Sequence, residues 1–194
     1  MAGTFIRRFT FALAILAVAA IGIAPPAGAE TYKSYASRLV RALPAGAKFR
    51  PDLEAVLAQQ ANSYRQQQGK APLQSSDQFR VAARAHAADM MVNNFIGHRA
   101  STGHNFDSRI RAFTNDITVF PAMAENAARE SQKTAATAAK ARRLFQQWVE
   151  SSGHRRALVS RDYAFVSTGV VQRGNTIWAV QIFWAAAREK GMFQ

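Results

Sequence analysis

The chain has 194 residues and no cysteine, and its 25 Lys and Arg residues against 12 Asp and Glu residues give a formal net charge of +13. Without cysteine, a disulfide framework and a thiol protease mechanism are both excluded. Stability must therefore come from the burial of apolar groups, without covalent cross-links.

Residues 1–29 have the pattern of a secretory signal peptide. Arg7 and Arg8 precede an apolar run, and Ala27-Gly28-Ala29 is a small-x-small cleavage site. An uncleaved membrane anchor is the alternative, but the helix-breaking Pro25-Pro26 pair before the site favours cleavage. We therefore expect a secreted or periplasmic protein that begins at Glu30.

The mature chain would keep 165 of the 194 residues and a net charge of +11, because the signal peptide carries two arginines. No second apolar stretch reaches about 18 residues, so we expect no transmembrane segment in the mature chain. A strongly basic chain is often a nucleic-acid binder. Export and the lack of an aromatic-rich basic stripe argue against nucleic acid here. Lipid headgroups or anionic cell-envelope components are better candidates, and a merely solvated basic surface is favoured over any of these partners.

Residues 30–50 form an N-terminal leader, predicted to be a short helix or an arm packed on the domain. The domain proper is placed at residues 51–187, followed by a tail at residues 188–194. It opens with a helix in which Pro51 suits the first turn, Asp52 complements the helix dipole, and Gly69 ends the helix.

A second helix is predicted over "SDQFRVAARAHAADMMVNN", capped by Ser76 or Asp77. His86 falls on its apolar stripe, which predicts a packed, hydrogen-bonded core histidine. After a loop with two more histidines, "NFDSRIRAF" predicts a short helix capped by Asn105 or Asp107. The segment "ITVFP" is predicted to be a short strand.

The last third of the chain predicts two helices and a hairpin. "KTAATAAKARRLFQQWVESS" is helical with Trp148 facing inward, and Ser151 or Ser152 can cap a further turn, "GHRRALV". The segments "YAFVSTGVVQ" and "TIWAVQIFWA", joined by "RGN", predict a β-hairpin. The second strand is apolar on both faces and so needs cover on both faces. We therefore predict an α+β fold, a three-layer α-β-α sandwich with a small antiparallel sheet.

Several short motifs occur in a characteristic order. They are "ARAHAADM", "FIGHRASTG" with "RIRA", "AENAA", "WVESSGHRRALV", "VSTGVV" and "IWAVQIF". This ordered set resembles the CAP superfamily of cysteine-rich secretory, antigen 5 and pathogenesis-related proteins (SCP-like domains). It looks closest to the short secreted bacterial branch, which lacks disulfides. The resemblance covers roughly residues 51–185 and implies the same α-β-α sandwich.

The resemblance also implies a cavity with two histidines and two acidic residues. By motif, the histidines are His98 in "FIGH" and His154 in "SSGHR", and the first acid is Glu125 in "AENAA". Ala124 stands where the family usually has glycine. The second acid of the family would fall on Ser151, so Glu150, one residue earlier, is kept as a candidate cavity residue. His104 is expected to be an exposed loop histidine outside the site.

Two imidazoles and a carboxylate can bind zinc or another divalent cation and leave one position open for water. His98, Glu125 and His154 are therefore candidate metal ligands, although no H-E-x-x-H motif is present and binding is expected to be weak. The alternative is a buried His-Glu hydrogen-bond network that holds loops together. Ser101, Ser151 and Ser152 lie near these histidines in sequence, but no G-x-S-x-G elbow supports a serine nucleophile.

The resemblance and the charge together predict a secreted monomeric binding module for a lipid, sterol or cell-envelope ligand. One alternative is a divalent-metal-dependent, peptidase-like hydrolase that uses the same cavity. Another is an envelope module that binds a protein partner. Whether the protein is an enzyme stays open at this point.

Overall fold

A computed structural model describes residues 30–186, so the predicted signal peptide and the predicted tail at 188–194 lie outside the described residues. Within this range, six helices and five strands follow one another along the chain. They are α1 (Tyr32–Arg41), β1 (Ala47–Phe49), α2 (Pro51–Gln67), β2 (Gln74–Ser75), α3 (Arg80–Val92), α4 (Phe106–Arg111), β3 (Ala122–Glu130), α5 (Ala138–Glu150), α6 (Ser152–Val159), β4 (Phe165–Arg173) and β5 (Thr176–Ala185).

One sheet forms the middle of the structure, with the strand order β1-β4-β5-β3. All neighbours along this path are antiparallel, and the two-residue β2 adds a short parallel pairing to β4. The predicted hairpin of β4 and β5 is confirmed: Arg173 pairs with Thr176, and Gly174 turns the chain with φ at 57°. A positive φ is the conformation that glycine adopts without steric cost.

Both faces of the sheet are covered, as the apolar pattern of β5 predicts. One face of β5 packs in a core cluster with α2, α5 and α6, and it presents Ile177, Ala179 and Phe183. The other face packs with α3 and α4 and presents Trp178, Val180, Ile182 and Trp184. Trp178 and Trp184 share that face and are only 5% and 7% exposed. The three-layer α-β-α sandwich is therefore confirmed.

The leader, residues 30–50, packs on the same fold. Helix α1 buries Tyr32, Tyr35 and Leu39 in a third cluster that includes alanines of α3. Strand β1 then pairs with β4 at the sheet edge. The leader thus extends both the outer helical layer and the sheet.

The start of α3 differs from the prediction. The helix begins at Arg80 rather than near Ser76, and its N-cap residue is Phe79, which makes no side-chain capping bond. Ser76 instead accepts a hydrogen bond from the Gln78 amide in the preceding turn, and the Phe79 amide donates to Ser167 of β4. Contact with the sheet therefore fixes where this helix starts, so the predicted Ser76 or Asp77 cap is wrong.

The predicted strand "ITVFP" is also wrong. The segment is a turn in which the Asp116 carboxylate accepts hydrogen bonds from the Thr118 amide and hydroxyl. Such local bonds compete with a strand ladder. Its apolar residues Ile117 and Phe120 still pack against the core, and the strand of this region, β3, begins just after them at Ala122. No helix among residues 30–186 is both long and apolar enough to cross a membrane.

Candidate functional site

The loop that carries His98 connects α3 to α4 and is hydrogen-bonded to the carboxylate of Asp89. This carboxylate is fully buried at the end of α3. It accepts hydrogen bonds from the Ser101 amide at 2.9 Å, the Ser101 hydroxyl at 2.6 Å and the Tyr35 hydroxyl at 2.6 Å. Because Tyr35 belongs to α1, the leader and α3 together hold the histidine loop in place.

Glu125 is the buried centre of the site. It lies on β3, where it pairs with Ile182 of β5, and its side chain is 2% exposed. The buried Arg109 of α4 donates Nη2 to both of its carboxylate oxygens at 2.8 Å, and His98 Nδ1 lies 3.0 Å from Oε1. A carboxylate this deep needs such partners, because removing a charge from water is costly.

The charge state of Glu125 follows from these neighbours. Burial alone would raise the pKa of Glu125, but the charge of Arg109 and the hydrogen bond from His98 outweigh it, so the pKa lies below its usual value of 4.5. Glu125 is therefore an anion at neutral pH, and it offers a fixed negative charge behind His98.

His98 and His154 face each other across the site, with their ring centroids 6.0 Å apart. The hydrogen bond to Glu125 raises the pKa of His98 above 6.5, although burial acts against it. Burial, together with the nearby His98, lowers the pKa of His154. The two imidazoles therefore differ in proton affinity although they are neighbours in space.

His154 is positioned by the sheet as well as by α6. Its backbone carbonyl accepts a hydrogen bond from Asn126 Nδ2 at 3.2 Å, and Asn126 is the residue that follows Glu125 on β3. Two consecutive residues of one strand thus fix both histidine-bearing segments, since Glu125 contacts His98 and Asn126 contacts the backbone of His154.

His86 lies beneath the site, where its side chain is fully buried. Its Nε2 is 2.7 Å from the Gly97 carbonyl of the histidine loop and 3.8 Å from Glu125 Oε1. The prediction of a packed, hydrogen-bonded core histidine is confirmed. Its contact with Glu125 makes it part of the support of the site, which the sequence reasoning did not anticipate.

The other candidates take different positions. Glu150 does not join the cluster: its side chain is exposed at the end of α5 and accepts a hydrogen bond from Gln146 at 3.2 Å. Ser151, at the position of the family's second acid, lines a groove together with His154. His104 is half-buried rather than fully exposed, with its ring centroid 5.3 Å from that of Tyr32 of α1.

The two arginines next to the site histidines in sequence have other partners. Arg99 donates to the Gly103 carbonyl, and Arg155 donates to the Val149 carbonyl. The cation that does enter the site is Arg109, which the sequence reasoning missed because one arginine among so many basic residues carries no distinctive signal. Its place in the "RIRA" motif, directly before the buried Ile110, was the available hint.

The predicted zinc ligands fit a cation only in part. Both oxygens of Glu125 are hydrogen-bonded to Arg109, and a cation bound to them would lie against a guanidinium. Among residues 30–186 no group of three or more His, Asp or Glu side chains is arranged to hold a metal ion. The imidazoles fit better: His98 uses Nδ1 towards Glu125, and its Nε2 stays available on a side chain that is 52% exposed. A carboxylate behind a histidine is a common arrangement around bound metals.

An open groove of about 330 Å³ adjoins His154. Its apolar lining is Ile96, Ala127, Ala128 and Trp148, and its polar lining is Arg129, Gln147, Ser151 and His154. Ile96 is 45% exposed and leaves an apolar surface at the groove. The arrangement can take a ligand with an apolar part and a hydrogen-bonding group.

Residues 59–183 match the CAP family, described as the cysteine-rich secretory protein family, and the chain belongs to this family. The uncharacterized protein YkwD of Bacillus subtilis (strain 168) is 32% identical over 121 residues, which are 62% of this chain and 42% of that protein. The chain therefore spans less than half the length of this relative.

Solved structures show the same fold at low sequence identity. An outer surface protein from Borrelia burgdorferi superposes with a TM-score of 0.59 at 18% identity, over 70% of this chain and 93% of that one. An extracellular protein containing an SCP domain from Bacillus anthracis str. Ames superposes with a TM-score of 0.57 at 22% identity, over 71% of this chain and 41% of that one. A cysteine-rich secretory protein from Staphylococcus aureus superposes with a TM-score of 0.50 at 16% identity, over 69% of this chain and 38% of that one.

Proposed function

We propose that this CAP-family protein is an exported binding module that holds an amphipathic cell-envelope ligand, a lipid or a sterol, in the groove beside His154. The observation that carries the proposal is the groove itself, in which the half-exposed Ile96, next to the buried Trp148, adjoins an imidazole and a serine hydroxyl. Specific small-molecule sites combine mostly apolar walls with a few placed polar groups.

The size of the groove limits what part of the ligand it holds. About 330 Å³ is near the lower end of the roughly 300–1,000 Å³ typical of small-molecule sites. It suits a ring system or part of an acyl chain. Transfer of that part from water into the groove would supply the affinity, and His154 or Ser151 would orient a hydroxyl or ester oxygen of the ligand.

Export to the cell envelope is supported by the predicted signal peptide and by relatives. Two of the structurally similar proteins carry the names outer surface protein and extracellular protein. An exported location would bring the groove into contact with envelope lipids. The basic surface of the mature chain would favour anionic ones.

Binding of a sterol and of a short-chain phospholipid to the purified chain tests the proposal, by native mass spectrometry and by titration of tryptophan fluorescence. Ile96→Asp puts a charge on the groove wall and should weaken binding at least about tenfold. Val81→Asp is the matched control, because Val81 is equally exposed at 46% but does not line the groove. Failure of both probes to bind, or equal binding by both variants, would contradict the proposal.

A metal-dependent hydrolase, peptidase-like in character, is the second candidate. It is favoured by the two neighbouring imidazoles of His98 and His154, whose ring centroids lie 6.0 Å apart, and by the available Nε2 of the half-exposed His98. His98 and His154 would hold the cation, which would supply a polarised water when bound. Glu125 would orient His98 through Nδ1, and Arg109 would keep Glu125 ionised.

Zinc calorimetry on the wild type, His98→Ala, His154→Ala and His104→Ala tests this candidate. With only two imidazoles as ligands, we expect micromolar or poorer affinity that His98→Ala and His154→Ala abolish and His104→Ala leaves unchanged. Protons compete with metal for imidazole, so affinity should fall as pH drops through the raised pKa of His98. Equal losses in all three variants would exclude this site. Peptide cleavage that EDTA suppresses and zinc restores would favour the hydrolase.

A protein partner in the envelope is the third candidate. A pull-down on separate cell-wall, lipid and protein fractions distinguishes it from the lipid-binding proposal. Retention by the protein fraction alone, unaffected by Ile96→Asp, would favour a partner that docks away from the groove.

A further inference from the structure

The face of α6 that points away from His154 forms a second pocket with α2. Ser152, Arg155, Arg156 and Val159 are spaced i, i+3, i+4 and i+7, which places them on one face of a helix. His154 lies on the opposite face, towards the groove. Tyr64 of α2 and Gln68, the residue that follows α2, complete a pocket of about 360 Å³.

The polar lining of this pocket consists of hydrogen-bond donors. Two guanidinium groups, a phenol, a primary amide and a hydroxyl surround it, and no carboxylate is among the lining residues. Arginine remains cationic at any working pH and presents its N–H groups as a planar fork. The chemistry of this lining therefore selects an anion with several acceptor oxygens.

Apart from one bond of Arg155, these donors are not used elsewhere among residues 30–186. Among residues 30–186, the side chains of Tyr64, Gln68 and Arg156 make no hydrogen bond to another residue, and neither Arg155 nor Arg156 has a carboxylate within 4 Å. Arg155 donates Nη1 to the Val149 carbonyl, and this fixes its side chain while its remaining N–H groups stay available. Two like charges on adjacent residues of one pocket repel each other, and a bound anion would relieve that repulsion.

We propose that this pocket, formed by α2 and α6, binds a phosphate group. Arginine forks match phosphate oxygens in a bidentate manner, and the tetrahedral group has enough acceptor oxygens to engage Ser152 or Tyr64 as well. The pocket is larger than a phosphate ion requires, which leaves room for the group that carries the phosphate. This second site does not depend on the function proposed for the groove.

Titration with inorganic phosphate, followed by NMR of the backbone and arginine side chains at constant ionic strength, tests the proposal. We expect saturable shifts confined to Arg155, Arg156 and the facing turn of α2. Arg156→Ala should lower the affinity about tenfold. Arg142→Ala, which removes the same charge from an exposed position on α5, should change it less than about twofold. An unchanged melting temperature verifies that both variants are folded.

Two further probes identify the source of the phosphate. Glycerol 3-phosphate and a short-chain phosphatidylglycerol are compared with inorganic phosphate. Tighter binding of the lipid assigns the pocket to a headgroup, and equal binding assigns it to free phosphate. If none of the three probes gives saturable shifts in the pocket, or if Arg142→Ala weakens binding as much as Arg156→Ala, the proposal is overturned. Ile96→Asp should leave phosphate binding unchanged, so failure of the lipid groove and failure of this pocket are separable.

Discussion

At the scale of single residues, Glu125 controls the protonation of His98. A group whose charged form is hydrogen-bonded to a carboxylate holds its proton to higher pH. In metal-free protein, we therefore expect the His98 ring to titrate above pH 6.5 and the His154 ring below it, in line with the opposite pKa shifts of the two rings. Carbon-detected or proton NMR of the two imidazoles across pH 4–9 measures both values.

Glu125→Gln serves as the matched variant for this titration. It keeps the shape of the side chain but removes the charge, so the pKa of His98 should fall, because burial and the charge of Arg109 then remain without opposition. A His98 ring that titrates below 6.5 in the wild type, or that is indifferent to Glu125→Gln, would show that the contact between His98 and Glu125 does not form in solution.

Gly169 is required for the close approach of α3 to the sheet. A Cβ atom at this position of β4 would lie 2.3 Å from the Arg84 amide nitrogen and 2.5 Å from the Ala83 carbonyl carbon. Backbone atoms cannot yield as a flexible side chain would, so α3 would have to move as a unit.

We expect Gly169→Ala to lower the free energy of unfolding by roughly 2 kcal/mol or more, at the upper part of the range for overpacked cores. Urea denaturation measures the change. Gly153→Ala is the control: nothing lies within 4 Å of its added Cβ, and alanine favours helix α6, so it should be neutral or slightly stabilising. Equal midpoints and slopes for the two variants would contradict the packing argument.

At the scale of elements, the apolar periodicity of the sequence predicted the long helices and the layers of the fold. The hairpin was predictable because two β-branched and aromatic segments flank the turn signal "RGN". The helical cover was predictable because β5 is apolar on both faces. Strand β3 was not identified, because "AMAENAARE" is rich in alanine and charged residues, which are not typical of strands. It forms a strand because all nine of its residues pair with β5. That long-range pairing leaves no pattern in the sequence of the strand itself.

The residues of the candidate site also divide into those that the sequence predicted and those that only the fold revealed. The positions of His98, Glu125 and His154 came from ordered motifs, and the structure brings these three residues together. The partners that set their chemistry, Arg109 and His86, are buried by tertiary packing alone. No spacing along the chain relates a residue on α4 to one on β3, so their roles could be found only from the fold.

Helix α1 hydrogen-bonds to the support of the histidine loop through the hydroxyl of Tyr35. Tyr35 donates to the buried Asp89, which also holds the Ser101 amide of the loop. Tyr35→Phe should cost about 1–3 kcal/mol, the range for losing one partner of a buried charged group, and should speed hydrogen exchange at the Ser101 amide. Tyr163→Phe is the control, because its hydroxyl has no hydrogen-bond partner within residues 30–186. Unchanged exchange at Ser101 would show that the Tyr35 hydroxyl does not restrain the loop.

At the scale of the whole molecule, the family match begins at residue 59, yet the packing begins at Tyr32. Tyr32, Tyr35 and Leu39 of α1 are each at least nine-tenths buried, largely against α3. Burial of a large apolar side chain contributes about 1.5–3 kcal/mol, so these three together are comparable to the roughly 5–15 kcal/mol that stabilises a typical domain. Strand β1 adds backbone hydrogen bonds to β4 at the sheet edge, and removing the leader would remove them.

The free energy of unfolding of a chain of residues 51–194 should therefore be several kcal/mol lower than that of residues 30–194. The shorter chain should also no longer unfold in one cooperative transition. Urea unfolding followed by tryptophan fluorescence and by circular dichroism compares the two, since Trp148, Trp178 and Trp184 report on both faces of the sheet. Substituting Lys33 and Arg41, both exposed on α1, with alanine in the longer chain controls for altered charge and should have little effect. If residues 51–194 unfold cooperatively with the stability of the longer chain, then α1 and β1 are accessory to the core. In that case, the hydrogen bond from Tyr35 to Asp89 would tune the histidine loop without holding the fold together.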